Sequence, residues 1–188
     1  MLEKTIESLL ASPIVKKGDY DYFVNGISDG VPAMDPVIFK EIVEAIQANV
    51  DLEGIEKIVA IESMGIHIGT ALSIATGIPL LVIRKRQYGL EGEKSVTKKT
   101  GYGESTLYIN DLDPSEKILL IDDVVSTGGT LIALLNALKD YNIASVFVII
   151  NKNKGRDIVE EETGIPVYTL VSLDVVDGEM KIYDTIED

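Results

Sequence analysis

Two spacings of apolar residues alternate along this chain. Residues Glu3–Ala11 and Pro36–Val50 place them three and four apart, the second through Val37, Ile38, Ile42, Val43 and Ile46 behind Pro36, which predicts two amphipathic helices. Unbroken apolar runs of strand length follow at Ile58–Ile61, Ile78–Ile83, Ile118–Ile121, Ser145–Ile150 and Val167–Val171. Such runs suit strands covered on both faces. Between them Gly65–Thr76, Thr130–Tyr141 and Gly155–Thr163 return to helical spacing, the first and third stopped by Gly77 and Gly164. Strand and helix in alternation predict an α/β fold, a parallel sheet flanked by helices. One long polar interruption, Arg84–Ser105, carries Gly89, Gly92, Gly101 and Gly103 and reads as a functional loop. Thr106–Asn110 reads as a short strand after it, and Glu179–Asp188 as an edge strand and a solvated tail.

A chain of 188 residues with 46% hydrophobic content supports one core, so a single domain over 1–188 is expected. The absence of cysteine excludes disulfides and thiolate metal sites, and a single histidine, His67, excludes a multi-histidine centre. The chemistry must therefore come from Asp, Glu, Lys, Arg and backbone groups, any direct metal ligand stays unassigned, and His67 itself suits a packed or solvated helix position. A net charge of −14 opposes nucleic-acid binding. No apolar stretch reaches the roughly 18 to 20 residues of a membrane span, and the acidic start MLEKTIESLL is unlike a signal peptide. A cytoplasmic protein that touches no membrane is expected.

The segment ILLIDDVVSTGGT, residues 118–130, joins a buried strand to two carboxylates and then to a turn of small residues that opens a helix. Ligands of open α/β sheets bind at that edge. Ser126, Thr127, Gly128, Gly129 and Thr130 supply hydroxyls and backbone N–H groups at a helix N-terminus, where an anion is favoured. Asp122 and Asp123 would repel a phosphate at short range, so they suit neutral hydroxyls such as those of a ribose. No Lys follows the glycines, which excludes a P-loop.

These residues resemble the signature of type I phosphoribosyltransferases for 5-phosphoribosyl-1-pyrophosphate (PRPP). The resemblance implies that Asp122 and Asp123 hold the ribose hydroxyls and that Ser126–Thr130 wraps the 5′-phosphate. The stretch IVAIESMGIHIGTALSIATGIPLLVIRKR, residues 58–86, repeats the strand, turn and helix. It resembles the pyrophosphate loop of adenine and xanthine phosphoribosyltransferases, which assigns Glu62, Ser63, Met64 and Gly65, with Arg84 and Lys85, to pyrophosphate. Adenine enzymes usually carry Arg where Met64 stands, so cations must come from elsewhere.

Arg84, Lys85, Arg86, Lys94, Lys98 and Lys99 stand against only Glu91 and Glu93 between residues 84 and 99, a local excess of four positive charges on an acidic chain. Cations there suit the charge that develops on leaving pyrophosphate. By resemblance this is the flexible active-site loop that closes over PRPP, with Arg86, Lys94, Lys98, Lys99 and Tyr102 in it.

For the base, Lys152 matches the lysine with which hypoxanthine/guanine and xanthine enzymes donate to the exocyclic O6. An ammonium cannot accept from the amino group of adenine. A Lys after a strand is also commonly just solvated. Asn25 in DYFVNGISDG resembles a base-contacting Asn of xanthine enzymes, and an Asn before Gly equally makes a plain turn. Over nearly its whole length the chain is most similar to archaeal-type hypoxanthine/guanine phosphoribosyltransferases. That implies purine salvage from PRPP and a 6-oxopurine to IMP or GMP, Mg2+ bound mainly through the pyrophosphate, and a homodimer. It also implies a small base-binding hood made from residues of about 1–35 and 165–188. Where mammalian-type enzymes carry an Asp beside the base nitrogen this chain has Ser126, which leaves the acceptor of the N7 proton unassigned. Adenine or xanthine transfer is the nearer alternative. A PRPP-sensing regulator is the distant one, which would need a basic face or a DNA-binding module.

Overall fold

The structure, a computed structural model, describes residues 2–18, 20–100 and 103–187. It opens with α1 (Glu3–Leu10), the antiparallel pair β1 (Ile14–Lys17) and β2 (Tyr20–Phe23), the one-turn helix α2 (Gly26–Asp29) and α3 (Pro36–Asn49). There follow β3 (Lys57–Ile61), α4 (Gly65–Thr76), β4 (Leu80–Ile83), β5 (Lys94–Thr100) and β6 (Gly103–Ile109). The remainder is β7 (Ile118–Val125), α5 (Gly129–Ala137), β8 (Ile143–Lys152), α6 (Gly155–Thr163), β9 (Val167–Val176) and β10 (Glu179–Thr185).

Six strands form the central sheet in the order β10-β9-β8-β7-β3-β4. The inner pairings are parallel, as the alternation predicts, and β10 alone runs antiparallel to β9, so the sheet is mixed. From β3 the chain steps to β4 on one side and later returns to place β7 on the other. The carboxyl ends of β3 and β7 therefore flank a topological switch point, where ligands of such sheets bind.

Alternation of side chains along each strand divides the core into two layers. Ile58, Leu119, Ile121, Phe147 and Ile149 pack with α1, α3 and α4. Val59, Leu120, Val146 and Val148 pack with Leu131, Leu134 and Leu135 of α5 and Val159 of α6. The start of α3 shows how the sequence sets an element: Asp35 accepts from the Val37 N–H at 2.9 Å and Pro36 occupies the first turn. Among the described residues no helix is long and apolar enough to cross a membrane.

Four sequence expectations change. The stretch Arg84–Ser105 contains β5, which pairs antiparallel with β6 from Lys94↔Ile109 to Thr100↔Gly103. Its lysines conceal a one-sided strand pattern in which Val96, Leu107 and Ile109 are buried against the second core layer. The helix expected to reach Tyr141 ends at Ala137 because the chain must turn there into β8; Ile118 N–H bonds the Asn142 carbonyl at 3.0 Å. Strands β7, β8 and β9 run past their apolar runs, so Asp122, Asp123 and Lys152 lie within strands rather than after them. Lastly, β1, β2 and α2 form where the apolar spacing assigns no element. These short elements sit over the sheet's carboxyl edge, with β2 against β9 and α2 against β7.

Candidate active site

Strand β7 remains paired with β8 through Asp122↔Val148 and Val124↔Ile150, which fixes both acids at the switch point. Asp122 is buried and accepts from the Asp123 N–H at 3.0 Å. Burial first, then the neighbouring Asp123 carboxylate, pushes the Asp122 carboxyl well above its ordinary range. Burial likewise raises Asp123 to about 6, and Asp29 of the hood helix adds a smaller push in the same direction. The two titrate as a pair. Two acids that resist ionising together are matched to donors: hydroxyl groups or a cation relieve both the desolvation and the repulsion.

Beyond them Gly128, in the left-handed conformation at φ 71°, starts α5, and no side chain caps that helix. Backbone N–H groups of a first turn without a side-chain cap are an anion site. The turn encloses a cavity of 140 Å³ lined by Asp122, Val124, Val125 and residues 126–131. The five cradle residues expected from the sequence, Ser126, Thr127, Gly128, Gly129 and Thr130, thus share one concavity.

The second turn is different in chemistry. The Glu62–Ser63 peptide is cis, Met64 precedes α4 without a side-chain cap, and Gly65 begins the helix. A Cβ on Gly65 would stand 2.9 Å from the Ile121 carbonyl oxygen and 3.4 Å from the Asp122 carboxylate. Glycine is therefore what allows the turn after β3 to lie against the end of β7. Glu62 does not face outward as a ligand group: its Oε2 accepts from Arg84 Nε at 2.5 Å and from the Lys85 N–H at 2.9 Å. Those donors hold the Glu62 carboxyl below its usual range, the Lys85 N–H contributing most. The Arg84 guanidinium expected to meet pyrophosphate is accordingly paired within the protein. Ser63 and Met64 also line a mostly apolar groove of 790 Å³ that extends over Phe39, His67 and Ile74. His67 packs edge-on to Phe39 and burial lowers its pKa, consistent with a packed position.

The loop cations disperse. Lys94 lies at the base of the β5–β6 hairpin, its Nζ 4.5 Å from the centroid of Tyr141. There it lines a cavity with Lys57 and Glu116, at the amino edge of the sheet, so it does not serve the carboxyl-edge site. Arg86 stands 5.7 Å from the ring of Tyr88. Tyr102 and the side chains of Lys98 and Lys99 lie outside the described residues.

At the end of β8, Lys152 is only 4% exposed, and its Nζ stands 5.3 Å from the centroid of the Phe23 ring on β2. A buried ammonium facing an aromatic ring is not the solvated lysine that its sequence position also allows. Asn25, by contrast, is buried and bonded within the hood. Its Nδ2 donates to Ser12 Oγ at 2.9 Å and to the Ser8 carbonyl at 3.1 Å, and its Oδ1 accepts from the Ile27 N–H at 2.9 Å. Its amide hydrogens thus tie α2 to α1, and one lone pair of its oxygen caps α2.

The sequence does not single out Phe23 or Asn153. Phe23 was hidden in a short strand that carries no clear alternation. Asn153, at φ 52°, donates from Nδ2 to Ser126 Oγ at 3.2 Å, and its N–H donates to Asp174 at 2.9 Å. A polar residue in a left-handed turn after a strand is a weak signal, yet it was the available one.

Residues 37–172 match the phosphoribosyl transferase domain, a span that contains both turns and Lys152. The chain belongs to the phosphoribosyltransferase family. It is 58% identical over 182 residues to a hypoxanthine/guanine phosphoribosyltransferase of Methanobrevibacter ruminantium, covering 96% of this chain and 97% of that one. The corresponding protein of Methanothermus fervidus is 56% identical, with 97% of each chain covered. The resemblance to archaeal-type enzymes is thereby borne out over nearly the full length. Among solved structures, the adenine phosphoribosyltransferase of Thermoanaerobacter pseudethanolicus superposes with a TM-score of 0.72 at 19% identity, over 92% of this chain and 99% of that one. The yeast adenine enzyme, complexed with an imino-altritol bisphosphate and adenine, gives 0.69 at 21% identity, over 90% of this chain and 99% of that one. At that identity these phosphoribosyltransferases share the type I fold with this chain, and the shared fold carries no information about the base.

Proposed function

We propose that this phosphoribosyltransferase converts hypoxanthine and guanine, with PRPP, to IMP and GMP, releasing pyrophosphate. The observation that carries the reading is the placement of Asp122 and Asp123 at the switch point, between the cradle at Ser126–Thr130 and the turn at Glu62–Gly65. Phosphate, ribose and pyrophosphate follow one another in PRPP in that same order. The cradle N–H groups and hydroxyls take the 5′-phosphate. Asp122 and Asp123 accept from the ribose hydroxyls and fix C1 over the gap between β7 and β3. The pyrophosphate leaves along the β3 turn as N9 of the base attacks C1; one C–N bond forms, one C–O bond breaks, and the base loses a proton. Lys152 donates to the O6 of a 6-oxopurine lying against Phe23. The names of the archaeal relatives support this choice of base.

Among the described residues no three acidic or histidine side chains gather to hold a metal ion. The raised pair Asp122 and Asp123 is nonetheless matched to a cation that substrate oxygens complete, since Mg2+ usually combines one or two carboxylates with phosphates and water. Bound with the pyrophosphate, Mg2+ would neutralise charge on the leaving group. The same reading takes residues 1–188 as one domain with its hood at both ends of the chain, acting in the cytoplasm as a homodimer.

Pyrophosphate release measured with PRPP, Mg2+ and each base in turn tests the proposal. Turnover with hypoxanthine and guanine, and at least about tenfold less with adenine, is expected from an ammonium at the 6-position. Equal use of adenine overturns the assignment of the base. No turnover with any purine overturns the transfer reaction.

A further inference from the structure

We propose that Asn153 is a positioning residue that fixes the polarity of the Ser126 hydroxyl, making it a donor toward the 5′-phosphate; the proposal rests on the cradle reading given above.

Three contacts bring the end of β8 against the cradle. Asn153 and Lys154 both adopt left-handed conformations, at φ 52° and 56°, and turn the chain back beneath Ser126. The Asn153 N–H is anchored to the Asp174 carboxylate at 2.9 Å, so this backbone is held from the neighbouring strand. Gly155 then passes so close that a Cβ on it would lie 2.5 Å from the Ser126 carbonyl oxygen. Within this arrangement the Asn153 side-chain amide reaches Ser126 Oγ at 3.2 Å and donates to it.

A serine hydroxyl has one proton and two lone pairs, and it turns to suit its neighbours. An amide N–H that points at the oxygen engages a lone pair and directs the proton elsewhere. Ser126 lines the 140 Å³ cavity of the cradle, so the proton is directed to where a phosphate oxygen would lie. An anion there finds a hydroxyl already turned as a donor, and donors to ionised acceptors make the stronger class of hydrogen bond. Lys152, the neighbouring residue and the last of β8, faces the hood instead. One strand end thus addresses two parts of the substrate, and their contributions can be separated by substitution.

Kinetics of five variants, with PRPP and hypoxanthine varied separately, test this. Asn153→Gly keeps the left-handed backbone without strain and removes the amide. It should raise the KM for PRPP about threefold to tenfold and leave the KM for hypoxanthine within about twofold. Asn153→Asp reverses the polarity, because its carboxylate takes the Ser126 proton, and should raise the KM for PRPP at least about tenfold. Ser126→Ala should match Asn153→Gly, and the double variant Ser126→Ala/Asn153→Gly should be no worse than Ser126→Ala alone. Placing Asn153→Asp in the Ser126→Ala background should then remove more than half of its effect. An Asp variant that retains the parental KM, additive single effects, or an Asp effect of equal size in both backgrounds overturns the proposal and leaves the cradle intact. A Ser126→Ala enzyme with unchanged KM for PRPP overturns the cradle reading and this proposal together.

Discussion

Two strand–turn–helix units face each other across the switch point, and the proposed function asks them to meet an anion in opposite ways. The unit β7-turn-α5 is complete in itself: its donors are backbone N–H groups and hydroxyls, its cavity is small and concave, and among the described residues no cation is bonded to its two carboxylates. The unit β3-turn-α4 has the same path but spends its charge internally, with Glu62 holding Arg84 and the Lys85 N–H. It opens not onto a polar concavity but onto an apolar groove. Sequence likeness between the two units therefore does not mean equal function. In the proposed reaction the first would hold its ligand before and after transfer, and the second a group that leaves. In that reading, a turn with its guanidinium already paired would bind pyrophosphate only with help, from a metal ion or from the β5–β6 hairpin.

That contrast predicts unequal costs of substitution. Asp122→Asn and Asp123→Asn should each lower kcat/KM for PRPP about a hundredfold or more, since charge-assisted bonds to the ribose are lost. Glu62→Gln, which frees Arg84, should change it less than about tenfold. Steady-state kinetics on the three variants would break the comparison if Glu62→Gln cost as much as either aspartate.

Lys152→Ala should reduce kcat/KM for hypoxanthine about tenfold to a hundredfold while the KM for PRPP stays within about threefold. Parallel loss of both parameters would tie Lys152 to the whole fold rather than to the base.

The unliganded acid pair also predicts a pH effect on stability. Unfolded carboxyls ionise near the ordinary Asp value, whereas in the folded chain Asp123 keeps its proton to about 6 and burial raises Asp122 as well. The folded state thus binds more protons in this window, so the pair's contribution to stability is full below about pH 4 and is lost as pH rises through 6. Asp123→Asn should be more stable than the parent at pH 7.5, by about 1–2 kcal/mol after allowance for solvent screening, and equal to it near pH 4. Thermal melts at the two pH values check the sign; a variant less stable at pH 7.5 would reverse it.

The smallest effect concerns the hairpin. Amide exchange along β5 and β6 should slow severalfold on addition of PRPP and Mg2+, with little change in the β7 turn, which is formed beforehand. Equal protection in both states would remove the closing role of residues 84–105.

What was legible in the sequence follows from what is local. The apolar runs gave every inner strand, because strands covered on both faces need no partner to be recognised. Gly77 and Gly164 marked their helix ends to the residue. The acids and cradle of residues 122–130 were legible because backbone geometry and chemistry lie in one contiguous segment. The hairpin was not, since Val96, Leu107 and Ile109 are buried by contacts made across the fold while lysines occupy the outward positions. Nor was the pairing of Arg84, whose partner Glu62 lies 22 residues away. The bonds of Asn25 were hidden for the same reason: its neighbours in sequence suggest a turn, and its amide is held by Ser8 and Ser12.

The burial of Asn25 also governs how the protein ages. Asparagine followed by glycine is the dipeptide in which spontaneous deamidation is fastest, because the glycine nitrogen readily attacks the side-chain amide carbon. In this chain the Asn25 amide donates to Ser8 and Ser12 and accepts from Ile27. Any rotation toward the Gly26 nitrogen breaks those bonds in the interior, so the five-membered succinimide cannot close without local opening of α2. If it did close, hydrolysis would leave a carboxylate facing the Ser8 carbonyl oxygen, where the amide had been a donor. The seam between α1 and α2 thus keeps a labile dipeptide chemically quiet for as long as the hood remains folded.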